Sequence, residues 1–229
     1  MLLKICGIRE PRELIALQAS LVDFAGLWHG IANGHAELDR DAFADLSAQA
    51  RGLGIAPVLV TFLADLDELS VAIEAGGIEH VQLHGFQPPS LLSALRRRFG
   101  SSLRLIKVLH VQLGRCLETP LVPAYERAGT DLFLLDSVAG DGRIGSTGQA
   151  LGQAAVFRAA SALSRPFLLA GGLDAGAAAA WTDLRGRKGF LGIDVDSAAR
   201  NAGGRICPDR VASIHQAWRS HSGSMTHAA

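Results

Sequence analysis

Leu2-Leu3-Lys4-Ile5-Cys6-Gly7-Ile8 opens a pattern that recurs along the whole chain. A short apolar run ends at a glycine turn, a helical pattern follows over residues 10–20, and a second apolar run comes at residues 24–28. Parallel strands need such a crossover, because a tight hairpin can join only antiparallel neighbours. Further β-rich runs fall at residues 57–62, 80–83, 103–108, 132–135, 167–170 and 190–195. The later helical patterns cover residues 40–52, 66–75, 90–99, 121–127, 150–163, 175–184 and 208–220. Asp39 is placed to cap the second helix, and Pro208 suits the first turn of the last. Eight strands alternating with eight helices, with no linker or break in composition, predict a single-domain α/β fold. The expected architecture is a closed (β/α)8 TIM barrel over residues 1–219. A doubly wound open sheet is the alternative, but it usually carries fewer strands at this length. Residues 220–229 are small and polar, and are expected to form a disordered tail.

Composition narrows the function. Lys plus Arg and Asp plus Glu both total 22 in 229 residues, so no basic excess points to nucleic acid. No apolar run approaches the roughly 18 residues of a membrane helix. The run Arg96-Arg97-Arg98 suits the end of an amphipathic helix, where cations meet the negative end of the dipole. Cys6, Cys116 and Cys207 are an odd count without metal-like spacing, and the N-terminus shows no secretory pattern. Reduced thiols in a cytoplasmic protein follow as the expectation.

Barrel enzymes place their chemistry at the carboxyl ends of the strands. There the sequence has Cys6-Gly7, Trp28-His29-Gly30, Gln82-Leu83-His84-Gly85, Leu135-Asp136-Ser137, Ala170-Gly171-Gly172 and Asp194-Val195-Asp196-Ser197. The opposite strand ends are not expected to be similarly polar. Cys6 alone reads either as a small core residue or as a reactive thiol. Strand alternation puts Lys4 on its face, and a nearby ammonium favours the thiolate. Asp136 is either a turn cap or an acid facing Cys6 across the barrel mouth. Gly171-Gly172 suits a phosphate turn, with Ser197 in the adjoining loop, whereas Asp196 would repel an anion unless Arg200 or Arg205 pairs with it. Gly145 and Ser146 lie in a candidate lid, residues 144–148. Lys4 and Asp194 should point inward from neighbouring strands and form an ion pair. Gln82 and His84 should line the mouth. The spacing of His29, His35 and His84 does not suggest a metal site.

Taken together, Lys4-Ile5-Cys6-Gly7-Ile8, Val81-Gln82-Leu83-His84-Gly85, Leu134-Leu135-Asp136, Gly145-Ser146-Thr147-Gly148, Ala170-Gly171-Gly172-Leu173 and Asp194-Val195 resemble the phosphoribosylanthranilate isomerase family, in order and spacing. That resemblance implies a TIM barrel of tryptophan biosynthesis. Its reaction is the Amadori rearrangement of N-(5-phosphoribosyl)anthranilate. It implies Cys6 as general base, Asp136 as general acid, and a phosphate held around Gly171, Gly172 and the loop carrying Ser197. Neither metal nor organic cofactor is implied, and the partner is a small-molecule substrate. The oligomeric state stays open. Three segments depart from the family pattern. The loop after strand two lacks the usual Arg, and His35 falls about where that residue would meet the anthranilate carboxylate. Asp196-Ser197-Ala198-Ala199-Arg200 replaces the usual Ser-Ser-Gly-Val-Glu, and Leu151-Gly152-Gln153 replaces Phe-Asp-Trp. A diverged paralogue doing related acid–base isomerisation on a different small molecule, phosphorylated or unphosphorylated, is therefore the second expectation, and a non-catalytic ligand-binding barrel the third.

Overall fold

The structure, a computed structural model, describes residues 1–137 and 152–219. Eight parallel strands close into a barrel. They are β1 (Leu2–Cys6), β2 (Phe24–Trp28), β3 (Ala56–Thr61), β4 (His80–Leu83), β5 (Arg104–Gln112), β6 (Leu132–Ser137), β7 (Phe167–Leu169) and β8 (Phe190–Val195). Each strand pairs with the next, and β8 returns to β1 in the register Lys4 against Asp194. The outer ring consists of α1 (Pro11–Gln18), α2 (Arg40–Gly52), α3 (Leu66–Gly76), α4 (Pro89–Phe99), α5 (Val122–Arg127), α6 (Gln153–Ser161), α7 (Thr182–Arg185) and α8 (Pro208–Arg219). No helix among the described residues is long and apolar enough to cross a membrane.

Strand alternation creates two cores. Leu3, Ile5, Leu105, Leu109, Phe133 and Leu135 face outward and pack beneath the helices. Cys6, Trp28, Val58, Val60, Ile106, Val108, Leu134 and Leu168 fill the barrel interior. Local chemistry sets the helix ends. Asp39 accepts from the Ala42 amide at 2.8 Å, and Asp65 accepts from Asp67 and Glu68. Gly77 ends α3 in the left-handed conformation, φ +56°.

Three features differ from the sequence expectations. Strand β5 runs on to Gln112 and folds back at Leu113 and Gly114, so that Arg115–Cys116 pairs antiparallel with it. Both turn residues have positive φ, +47° and +78°, as a two-residue hairpin requires. Leu-Gly is not a typical signal for that turn, so the hairpin was not legible. The helix expected over 175–184 is instead a 3-10 stretch, Gly176–Trp181, followed by the single turn α7. Its three-residue repeat aligns Ala178 and Trp181, both buried, against the core. The amino-terminal rim is also more polar than expected. Arg96 and Arg104 both pair with Asp131, while Asp131 and Asp23 accept the amides of Leu105 and Leu3 at strand starts. The tail, residues 220–229, lies outside the described residues.

One buried cation faces outward. Lys107 on β5 is fully buried and donates to the carbonyls of Gly85 (2.6 Å) and Val108 (2.8 Å), with the Tyr125 ring 5.3 Å away. Burial pushes its pKa down to about 8, against the raising influence of Glu118. The unfolded chain keeps this proton up to the ordinary value of 10.5, whereas the native state gives it up near 8. Between those values the unfolded state binds more protons, so this group makes stability rise with pH. Cys6 titrates in the opposite sense at the upper end, so the comparison must isolate Lys107. The stability difference between the unaltered protein and Lys107→Met should grow in favour of the unaltered protein by roughly 3 kcal/mol across that window. Urea unfolding at a series of pH values tests this, and a flat difference refutes it.

Candidate active site

Strand β1 ends with Lys4 and Cys6 on the inner face. Lys4 Nζ lies 2.8 Å from Asp194 Oδ2, so the pair expected from the sequence forms across the β1–β8 seam. The same ammonium donates to Cys6 Sγ at 3.2 Å, and Trp28 Nε1 donates to it at 3.1 Å. Gly26 pairs with Cys6 in register. A Cβ on Gly26 would lie 2.8 Å from Cys6 Sγ and 3.0 Å from Lys4 Nζ, so only glycine leaves room for this contact.

The protonation of Cys6 corrects the sequence reading. Burial pushes the thiol up to about 12; Lys4 pulls the other way without prevailing, and Asp194 and Asp196 add to the rise. In the free protein Cys6 is therefore a thiol, although two N–H groups already aim at its sulfur and would stabilise the anion once formed. Burial works against the charge of Lys4, but Asp194 and then Cys6 outweigh it and raise its pKa. Burial also raises the Asp194 carboxyl, against the lowering by Lys4.

Asp136, at the end of β6, is buried and accepts its neighbour's amide, Ser137 N, at 2.7 Å. Its Oδ2 lies 3.3 Å from His84 Nε2, close enough for electrostatic attraction but not aligned as a hydrogen bond. Gln82 Nε2 faces His84 Nδ1 at 2.9 Å. An amide nitrogen only donates, so Nδ1 accepts and the ring proton sits on Nε2, toward Asp136. Burial lowers the His84 pKa, in spite of Asp136, and the ring stays neutral.

A narrow mouth, partly open to solvent, brings these groups together. Cys6, Trp28, His84, Asp136, Asp194 and Asp196 line it, together with Gly171, Gly172 and Ser197. The two glycines have φ of +87° and +66°, so the chain after β7 turns sharply around one end of the pocket. Three buried polar atoms around this mouth have no hydrogen-bond partner among the described residues: Gln82 Oε1, His84 Nε2 and Asp194 Oδ1. Such unpaired groups are costly unless a ligand meets them.

Not every expected residue reaches the pocket. Lys4 and Gln82 sit beneath it, each bonded to a residue that lines it. His35 lies at the rim. Its Nε2 is 3.1 Å from Asp196 Oδ2 and its ring meets Trp28 edge-on at 4.6 Å. Gly145 and Ser146 lie outside the described residues. No group of three or more His, Cys, Asp or Glu among the described residues is arranged to hold a metal ion. The sequence reading missed the role of Trp28, although its place two residues after Gly26 puts it on the inner face of β2. It also missed His110 on β5, buried beside His84. His110 Nε2 lies 3.0 Å from the His84 carbonyl, while Nδ1 pairs with Glu118.

A parallel barrel that gathers titratable groups in one mouth at the carboxyl ends of its strands is the scaffold of an enzyme. The sequence model of the family described as N-(5'phosphoribosyl)anthranilate (PRA) isomerase matches residues 3–216. A relative from Cereibacter sphaeroides, N-(5'-phosphoribosyl)anthranilate isomerase, is 30% identical over 221 residues, covering 94% of this chain and 97% of its own. One of the same description from Nitrobacter winogradskyi is 33% identical over 207 residues, covering 89% and 86%. The crystal structure of TrpF from Jonesia denitrificans superposes with a TM-score of 0.72 at 25% identity, covering 97% of this chain and 98% of the other. The chain belongs to the N-(5'-phosphoribosyl)anthranilate isomerase family and is an isomerase of the aldose–ketose type.

The thiol's burial makes a direct prediction. In a Cys116→Ser/Cys207→Ser background, alkylation of Cys6 by iodoacetamide should keep accelerating with pH beyond about 10, because the reacting species is the thiolate. A rate that levels off near the ordinary thiol value of 9.0 would show that burial does not control Cys6.

Proposed function

We propose that this barrel isomerises N-(5'-phosphoribosyl)anthranilate, with Asp136 as general acid and Cys6 as general base. One observation carries the reading: a buried thiol, with two N–H groups aimed at its sulfur, shares a single pocket with a buried carboxyl group and a glycine turn. Asp136 gives its proton to the ribose ring oxygen. The C1–O bond breaks, and the nitrogen lone pair forms a protonated Schiff base. The carboxylate left behind is stabilised by the Ser137 amide and the Nε2 proton of His84. With the cationic Schiff base in place, Cys6 loses its thiol proton to solvent at the open mouth; the thiolate takes the proton from sugar C2, and the electron pair of that C–H bond gives an enolamine that tautomerises to the ketone. The cationic Schiff base favours the thiolate, and the Lys4 and Trp28 donors hold the new anion. Atoms and electrons balance without an external oxidant or reductant.

The phosphate belongs at the Gly171-Gly172 turn, beside Ser197, where backbone curvature suits an anion. Asp196 does not forbid this, because Arg200 and His35 occupy its two oxygens. His35 stands at the same rim, where it can meet the substrate's carboxylate. A thiol base suits a reducing compartment, which supports a cytoplasmic location.

Expression in a tryptophan auxotroph lacking this isomerase should restore growth, and no growth with folded protein present would sink the assignment. Cys6→Ser and Asp136→Asn should each lower kcat by about 10³-fold with folding intact, the scale expected for losing a general acid or base. Activity within tenfold of the unaltered protein, in either variant, would remove that residue from the mechanism.

A further inference from the structure

Arg200 stands where two loops meet, and all five of its N–H groups are used. Nε donates to Asp196 Oδ1 at 2.7 Å, and Nη1 donates to Glu13 Oε1 and to the Gly204 carbonyl, both at 3.1 Å. Nη2 donates to the carbonyls of Cys6 (3.1 Å) and Gly7. The side chain is only 8% exposed, and Glu13 only 2%. A guanidinium saturated in this way has a single geometry; an ammonium has three donors and cannot reproduce it. Gly7, at φ +75°, complements the contact, since a Cβ there would lie 2.9 Å from Arg200 Nη2.

The contacts join two segments that border the pocket. The carbonyls of Cys6 and Gly7 belong to the strand-one exit, directly after the thiol. Asp196 lines the same pocket as Cys6 and the glycine turn, next to Ser197. Without the guanidinium, two largely buried carboxylates would lose the cation that bonds both, leaving His35 3.1 Å from Asp196 and Arg9 3.9 Å from Glu13, and Asp196 borders the place assigned to phosphate. We propose that Arg200 is a positioning residue that holds the backbone at Cys6 and neutralises Asp196, so that the glycine-lined end of the pocket accepts a phosphate group. The proposal rests on the acid–base reading of this site and deepens it, by assigning what admits an anion where an aspartate stands.

Inorganic phosphate is the probe, read by its protection of Cys6 against iodoacetamide at about pH 9.5, where some thiolate is present. The background is Cys116→Ser/Cys207→Ser. Phosphate should protect the Arg200 protein. Arg200→Met should raise the half-protecting concentration by about 10-fold or more, because it strips a buried charge of its partner. Adding Asp196→Asn to Arg200→Met should bring that concentration back to within about 3-fold, since the repelling charge is gone. In substrate turnover the same double variant should recover KM but keep a kcat lowered about 10-fold, because the Cys6 and Gly7 carbonyls still lack their donor. A merely structural role would lower the melting temperature without separating KM from kcat. If Arg200→Met does not fold, Arg200→Lys takes its place, with a rise of at least about 3-fold in the half-protecting concentration expected. No protection in the Arg200 protein, an unchanged half-protecting concentration in the folded variant, or no recovery with Asp196→Asn would overturn the proposal. Loss of turnover on N-(5'-phosphoribosyl)anthranilate by the unaltered protein would instead overturn the assigned substrate, and the phosphate readout would still decide the role of Arg200.

Discussion

A single buried ammonium organises the mouth of this barrel. Lys4 is fully buried on the inner face of β1, a position that is costly for a charge without partners. Asp194, its neighbour on β8, supplies the countercharge, and the Cys6 sulfur takes a further N–H. The contact holds three groups at the seam where the last strand meets the first. It also explains Gly26: the ammonium and the sulfur occupy the space that a side chain on β2 would need. The thiol is thus held by packing on one side and by charge on the other, which a base must be if it is to meet one particular C–H bond.

The rest of the mouth follows the same economy of charge. His84 is kept neutral by burial, with its proton directed to Asp136 by the Gln82 amide. Cys6 is kept a thiol by the same desolvation. The proposed acid and base therefore sit in a site whose formal charges are largely paired, Lys4 with Asp194 and Arg200 with Asp196 and Glu13. Removal of one member of such a pair costs more than the pair contributes, because the other is left buried and charged. That is the physical reason these neighbours matter as much as the two groups proposed to move protons.

Family membership and the departures from the family pattern are compatible on this structure. The added carboxylate of Asp196 is accompanied by Arg200 at the position where the pattern has Glu, so the loop's charge is rearranged rather than simply made negative. His35, without the usual Arg nearby, leans on the same carboxylate. The changed residues contact one another, which is what compensating substitutions in one loop pair require.

The barrel was legible because apolar runs alternate with helical patterns, and four strands, β1, β2, β4 and β8, have the bounds the pattern predicts. Alternation within β1 and β8 also determined that Lys4, Cys6 and Asp194 share the inner face, which is a local property of a pleated strand. The hairpin after β5 and the 3-10 stretch before α7 were not legible, since tertiary packing outweighs weak local propensity there. Desolvation was not legible either. Proximity to Lys4 suggested a thiolate, but the number of atoms excluding water from Cys6 depends on every strand around it, and that burial makes it a thiol. Residues distant in the chain, His110 with Glu118 and Arg200 with Glu13, meet only after the ring closes. Periodicity along one strand determined which side chains face the mouth. Only the closed barrel decided their charge and their partners, because solvent exclusion and long-range contact are properties of the assembled fold.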